Sequence, residues 1–379
     1  IQLEPKTVDW DAESVEKGGF EHFMMKEIQE QPKAITDTLD AYVHDGVIDL
    51  SSAGLDADKL KKYQRIYIVA CGSAYHVGVA AKYVFEKMAE IPVEVDIASE
   101  FRYRDPLLIK DSLFVVISQS GETADSLAAM RLVQEKGIDT LAVVNVAGSS
   151  IAREADYVMY TYAGPEIAVA TTKAYSCQLI NMYILSMAVA EAKGLLAEDE
   201  KLKLIESLKA LPSQISEIIA DKERIQWFAA QFANSQDIFF IGRGLDYAIG
   251  LEGSLKTKEI SYIHSEAYAA GELKHGTISL IDKGTLVISI ATQDALYEKT
   301  VSNIVEVKSR GAYLMGITNS GNYNIESTVD FAVYVPRTEQ YFTTSLAIIP
   351  LQLLAYYISL ARGLDVDRPR NLAKSVTVE

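Results

Sequence analysis

Cysteine is almost absent: the 379 residues hold two, Cys71 and Cys177. Two isolated thiols make neither a disulfide framework nor a metal-ligand pattern, and they fit a chain kept in a reducing cytoplasm. Positive charge is also scarce. Against 52 Asp and Glu stand 36 Lys and Arg, for a formal net charge of −16. That balance disfavours non-specific binding to nucleic acid or to anionic membranes. An anion site must therefore be built locally, against an unfavourable overall field. No apolar run reads as long enough to span a membrane, and no signal peptide opens the sequence. The opening IQLEPKTVDW lacks Met and reads as a processed chain or a piece of a longer one. With 49% hydrophobic and 23% charged residues, the chain has ample material for a core and the length of two or three domains.

The most informative stretch is Val115–Ser126, VVISQSGETADS. The apolar residues Leu113–Ile117 read as a strand, and a helix should start near Glu122–Ala124 and run to about Glu135. Between them lies a turn with Ser118, Ser120, Thr123 and a flexible Gly121. Unpaired amides at a helix start, together with the positive end of the helix dipole, suit a phosphate. Three hydroxyls add donors that rotate onto its oxygens. The turn has no Lys, so it is not a nucleotide P-loop; it suits one small phosphate, such as that of a sugar. The plainer reading of the same residues is an N-cap.

Strands alternate with helices along the chain, which points to a doubly wound parallel α/β sheet. After an irregular lead-in over 1–20, Phe20–Tyr42 reads as a helix interrupted by Pro32, and 44–62 as a solvated segment. Then come a strand in Arg65–Ala70, a helix over about Tyr75–Ile91, strands near Val93–Ile97, 140–146 and 157–162, and an apolar helix over about Thr172–Lys193. The second half repeats the first. IYIVACGS (66–73) matches IFFIGRGL (238–245), pairing Gly72 with Gly244. SLFVVISQSGET (112–123) matches GTLVISIATQDA (284–295), and the helix ending at Gly194 matches the one ending at Gly363. An acidic helical segment over about 196–225 joins the halves. In the second half the hydroxyl-rich turn has become Ala291–Thr292–Gln293–Asp294, where Asp294 is expected to repel phosphate. One copy alone keeps the anion site.

Four motifs, SQSGETADS, AGPEIAVATTKAY, KEISYIHSEAYAAGELKHG and the tail PRNLAKSVTVE, together resemble the isomerase half of the glutamine–fructose-6-phosphate aminotransferases, without their glutaminase domain. The resemblance implies two tandem sugar-isomerase (SIS) domains. It divides the chain into a linker and helical segment (1–45), a first SIS domain with the phosphate turn (46–200), a second with a catalytic helix and a His loop (201–364), and a catalytic tail (365–379).

The implied reaction takes fructose 6-phosphate to glucosamine 6-phosphate, or without ammonia to glucose 6-phosphate. By that resemblance the phosphate sits on Ser118, Gln119, Ser120 and Thr123, with Ser73 reaching in from a CGSAYH turn where relatives read CGTSYH. Ala74 thus lacks a hydroxyl. Lys374 resembles the Schiff-base lysine, which must be partly uncharged to react; Arg368 and Arg370 are expected to supply the lowering field. An isolated lysine five residues from a C-terminus would ordinarily be solvated, but Leu372, Val376 and Val378 make this tail apolar.

Glu259 resembles the base that moves a proton between C1 and C2. Glu252, Lys256 and Glu259 fall on one helix face by spacing, either as a surface salt bridge or as a sugar-facing set. His275 resembles the ring-opening residue, supplied in the family by the neighbouring subunit of a homodimer. Val169 and Thr171 would contact sugar hydroxyls, and Glu166 would order their loop. His22, His44, His76 and His264 read as structural. No metal or organic cofactor is indicated. Two other readings share the fold: a fructosamine-phosphate deglycase, against which the intact tail argues, and a non-catalytic sugar-phosphate sensor, against which stand Lys374, Glu259 and His275 together.

Overall fold

The computed structural model describes residues 16–377. Most of the expected lead-in, and Val378 in the tail, lie outside the described residues. The chain folds as two compact units: the first takes the described residues up to Ile205 and those from Ala373 onward, the second is Glu206–Leu372.

The first unit is built on five parallel strands: β1 (Arg65–Ala70), β2 (Val93–Ile97), β3 (Ser112–Ser118), β4 (Asp139–Val144) and β5 (Tyr157–Tyr160). Their order across the sheet is β2-β1-β3-β4-β5, with Ile66 opposite Leu113 and Ile68 opposite Val115. β3 is buried along its whole length, as a central strand covered on both faces must be; this is why its sequence is a continuous apolar run.

The longer helices within this unit are α1 (Phe23–Asp40), α2 (Ser73–Met88), α3 (Ala124–Glu135) and α4 (Lys173–Ala192). The break expected at Pro32 does not occur. Proline removes the amide that would reach the Ile28 carbonyl, and the Gln31 side-chain amide donates to that carbonyl at 3.1 Å instead. The segment 44–62 is also more ordered than its charge suggests. It holds a short antiparallel hairpin, Val43–His44 with Val47–Ile48, and a helical turn, Ala57–Lys62, anchored by buried Leu50, Leu55 and Leu60.

The expected acidic connector is two helices, α5 (Glu198–Ala220) and α6 (Lys222–Gln231). The second unit repeats the parallel sheet with β6 (Asp237–Gly242), β7 (His264–Ala269), β8 (Leu286–Ala291), β9 (Tyr313–Asn319) and β10 (Phe331–Val335). The order is β7-β6-β8-β9-β10, the same winding as the first. β7 went unread in the sequence because HSEAYA has no apolar run; as an edge strand it pairs with β6 alone. Helices α7 (Leu245–Ser261), α8 (Tyr297–Lys308) and α9 (Thr343–Ala361) complete the unit. α9 corrects a sequence expectation, since Gln340–Ala361 is long and apolar enough to cross a membrane. However, 89% of its most apolar window is buried inside the fold. It packs on α7, where a side chain at Gly253 would come within 2.6 Å of Leu351.

Candidate active site

In a doubly wound sheet the crevice for ligands opens at the carboxyl ends of the strands where the winding reverses. In the first unit that point lies between β1 and β3. The turns leaving those two strands are Cys71–Ser73 and Ser118–Thr123. Gly72 sits at φ +58°, ψ −132° just before α2, a backbone shape that favours glycine. Ser73 is the first residue of the helix and is half-buried.

The second turn is held by its own hydroxyls. Ser118 Oγ lies 3.0 Å from Thr123 Oγ1 and accepts the Gly121 amide at 3.0 Å. Ser120 Oγ accepts the Glu122 amide at 3.2 Å. Thr123, although it precedes α3, makes no side-chain cap to it, so the simple N-cap reading does not hold. Gly121 takes φ +66°, and a Cβ there would meet Ser149 Oγ at 2.0 Å. The turn is closed tightly on its outer side, and Gln119 is half-buried beside it.

The C-terminal tail lies on this turn. Ser375 donates its hydroxyl to Ser120 Oγ at 3.2 Å, and the Ala124 amide donates to the Val376 carbonyl at 3.2 Å. Between them and the loop that follows β5 sits Lys374. It is 22% exposed, and its ammonium donates to the fully buried carboxylate of Glu166. Glu166 also accepts the amides of Thr172 at 2.9 Å and Ala174 at 3.1 Å. Its carboxylate therefore orders the start of α4, as expected. Burial works against the Glu166 charge, but Lys374 and the two amides outweigh it and hold its pKa below the ordinary range. The charge that meets Lys374 is thus a carboxylate. Arg370, expected to supply a positive field, stacks at 4.3 Å over the Tyr262 ring in the second unit. Val169 and Thr171 are half-buried in the same loop as Glu166.

One residue of this cluster escaped sequence reading. Glu27, on α1, accepts the amides of Ile167 and, at 3.1 Å, Ala168. Its Oε2 is buried with no hydrogen-bond partner among the described residues. Burial first, then the charge of Glu166, push its pKa up to about 8 from an ordinary 4.5. Nothing in KEIQEQP marks Glu27; the loop it holds lies far along the chain.

The second unit uses its switch point differently. Gly244 takes φ +58°, ψ −125°, nearly the conformation of Gly72. Two residues on, where the first unit has Ala74, stands Asp246. Its buried carboxylate accepts the Thr292 amide at 2.9 Å and the Gln293 amide at 3.3 Å, and the Thr292 hydroxyl donates to it as well. The amides that would face an anion are occupied by an internal carboxylate. Asp294, expected to repel phosphate there, instead faces Arg337 at 3.3 Å.

On α7, Lys256 and Glu252 are wholly buried, 3.4 Å apart. Glu259, 22% exposed, lies 2.5 Å from the same ammonium. This is no surface salt bridge. Burial works against the Lys256 charge, but the two carboxylates outweigh it and raise its pKa. Lys256 is locked as a cation, and Glu259 is the member of the set that reaches solvent. His275 ends a short helical turn, Ala270–His275, and is exposed. His264, read as structural without a partner, pairs with Asp237 at 2.6 Å and Glu266 at 3.4 Å.

Two doubly wound units of one winding, one with a hydroxyl-rich turn at its switch point, define a class that comparison makes explicit. The SIS domain model matches residues 59–188 and 231–362, and the chain belongs to the SIS domain family. It is 55% identical over 373 residues to the glutamine–fructose-6-phosphate aminotransferase (isomerizing) of Caldanaerobacter subterraneus subsp. tengcongensis, covering 98% of this chain and 61% of that protein. The enzyme of the same name from Clostridium tetani is 55% identical over 380 residues, covering 100% of this chain and 62% of that protein. Among solved structures, the C-terminal domain of glucosamine-fructose-6-phosphate aminotransferase from Francisella tularensis superposes with a TM-score of 0.89 at 39% identity, covering 93% of this chain and 100% of that one. The chain thus spans about three fifths of the length of the curated relatives it matches. The resemblance drawn from the motifs and the tandem SIS fold are both borne out.

Proposed function

We propose that this chain isomerises fructose 6-phosphate as the sugar half of a glutamine–fructose-6-phosphate aminotransferase. The observation that carries the reading is the seating of Lys374 beside the Ser118–Thr123 turn, through Ser375 on Ser120. A phosphate held by that turn, with Ser73, Gln119 and the helix-start amides, puts the rest of a six-carbon sugar within reach of the tail. His275 opens the ring, from the neighbouring subunit of a homodimer. The Lys374 amine attacks C2 of the open ketose, and water leaves as the imine forms. Ammonia replaces the lysine at C2. Glu259 then takes a proton from C1 and returns it to C2, so that the C1 hydroxyl becomes the aldehyde and the C2 imine the amine. Without ammonia, the same shift on the C2 carbonyl gives glucose 6-phosphate. Lys256, charged and buried, and Glu252 hold Glu259 in place; Val169 and Thr171 contact the sugar hydroxyls.

Ammonia would come from a glutaminase domain, since the relatives that match bear the aminotransferase name and are longer than this chain. The two unpaired thiols suit a cytoplasmic setting. The test is a coupled assay for glucose 6-phosphate from fructose 6-phosphate. Turnover in the wild type, lost by at least about a hundredfold in Glu259→Gln as expected for removal of a general base, supports the reading. Equal rates in the two proteins overturn the role of Glu259, and no turnover in either overturns the activity.

A further inference from the structure

His275 ends the turn Ala270–His275, and its ring has no hydrogen-bond or ion-pair partner among the described residues. Where the imidazole stands is therefore decided by the backbone of the turn. Two side chains hold that backbone from within. Ala270 and Leu273 are wholly buried in a cluster with Phe239, Ile241, Val287 and Ile304. Gly271, between them, meets a charged group instead.

That group is Arg243, at the carboxyl end of β6, one residue before Gly244. It is half-buried and makes no ion pair among the described residues. Its guanidinium donates twice to Asn303 Oδ1, from Nε at 3.1 Å and from Nη2 at 2.9 Å. Asn303 lies on α8 and is 2% exposed. Two bonds onto one buried acceptor fix a planar guanidinium as a single bond to a flexible ammonium would not. The group so fixed lies against Gly271. A Cβ built there would stand 3.0 Å from Nη2, 3.2 Å from Nη1 and 3.3 Å from Cζ. Gly271 does not take the left-handed backbone that by itself calls for glycine. What the position needs is room for the backbone and the guanidinium to approach closely.

We propose that Arg243 is a positioning residue for His275. Through Asn303 and Gly271 it ties the turn to α8 and sets where the imidazole stands. The idea rests on the reading of His275 as the ring-opening group. Ring opening takes a proton from the C2 hydroxyl and delivers one to the ring oxygen, and a misplacement of about 1 Å slows such a step about a hundredfold. The proton shift between C1 and C2 belongs to Glu259 and does not use His275.

The test therefore compares two sugars. Fructose 6-phosphate must be opened; 5-deoxyfructose 6-phosphate has no C5 hydroxyl to close a ring and is always open. The kcat/KM for isomerisation of each is followed by NMR in the wild type, Arg243→Met and His275→Gln. Arg243→Met should lose at least about tenfold on fructose 6-phosphate and less than about twofold on the open analogue. Equal losses on both sugars, as from a general disturbance of the fold or of α7, overturn the proposal, and so does no loss on either. If Arg243→Met fails to fold, Gly271→Ala takes its place, because the added Cβ crowds the guanidinium; the same selective loss is expected, and its absence overturns the proposal. His275→Gln separates the two layers. A ratio between the sugars that His275→Gln does not move sinks the reading of His275 and the proposal with it. A ratio moved by His275→Gln but not by Arg243→Met sinks the proposal alone.

Discussion

The two switch points of this molecule start from the same backbone and end in opposite states. Gly72 and Gly244 share φ +58° and nearly the same ψ, and each precedes a helix packed on a parallel sheet of the same order. In the first unit the next strand ends in hydroxyls that brace their own turn. In the second, Asp246 fills the corresponding turn and pairs with its amides. On the proposed reading, in which the first unit's turn holds a phosphate, the second unit's turn is closed to one by the internal carboxylate of Asp246.

The sharpest way to break that comparison is to transplant the plug. Ala74→Asp places a carboxylate where Asp246 stands in the other unit. Affinity for fructose 6-phosphate by titration calorimetry should fall by at least about a hundredfold, since the acceptor displaces and repels the phosphate. Unchanged affinity would mean that the turn is not the anion site. A smaller effect is expected from Ser120→Ala. Loss of one hydrogen bond to a charged group costs about 1.5–3 kcal/mol, a ten- to hundredfold weaker Kd by the same calorimetry. The Ser375 contact to the tail is lost with it.

Asp246→Asn should leave fructose 6-phosphate affinity unchanged and alter only stability. Burial raises the Asp246 pKa from 3.8 to about 6, so the native state binds its proton more tightly than the unfolded one. The resulting stabilisation is full below pH 4 and is lost as pH rises through 6, a change of about 3 kcal/mol. The wild-type minus Asp246→Asn difference in unfolding free energy should shift by nearly that amount between about pH 3 and 7 and stay flat above 7. A flat difference throughout would contradict a buried carboxylate plug.

Much of this was legible in the sequence, for identifiable reasons. Strands covered on both faces must be apolar, so β1, β3 and β8 stood out, and the repeat of strand and glycine exposed both units. Lys374 was marked by its motif, but its seating does not come from an apolar tail: Leu372 and Val376, expected to pack, are 47% and 55% exposed, and the tail is held by the Ser375 hydroxyl, the Val376 carbonyl and the Lys374 ion pair. What was hidden depends on partners distant in sequence. Asp246 looks like an ordinary acidic residue in a helix's first turn, and only the Thr292 amide reveals its task. Glu27 is one charge among several on α1 until the loop at Ile167 is folded against it. Pro32 suggested a break because the Gln31 amide that replaces its missing hydrogen bond is a matter of geometry. β7 lacked any apolar alternation. Arg370 was assigned to Lys374 by closeness in sequence, and its ring partner, Tyr262, comes from elsewhere in the chain.

The central claim is that the first unit's switch point holds a sugar phosphate within reach of Lys374. The most direct test mixes the protein with fructose 6-phosphate, reduces with borohydride and maps the digest by mass. A reduced hexose phosphate on Lys374, absent from Ala74→Asp under the same conditions, is the predicted result. An adduct on another lysine, or none while binding persists, would contradict it.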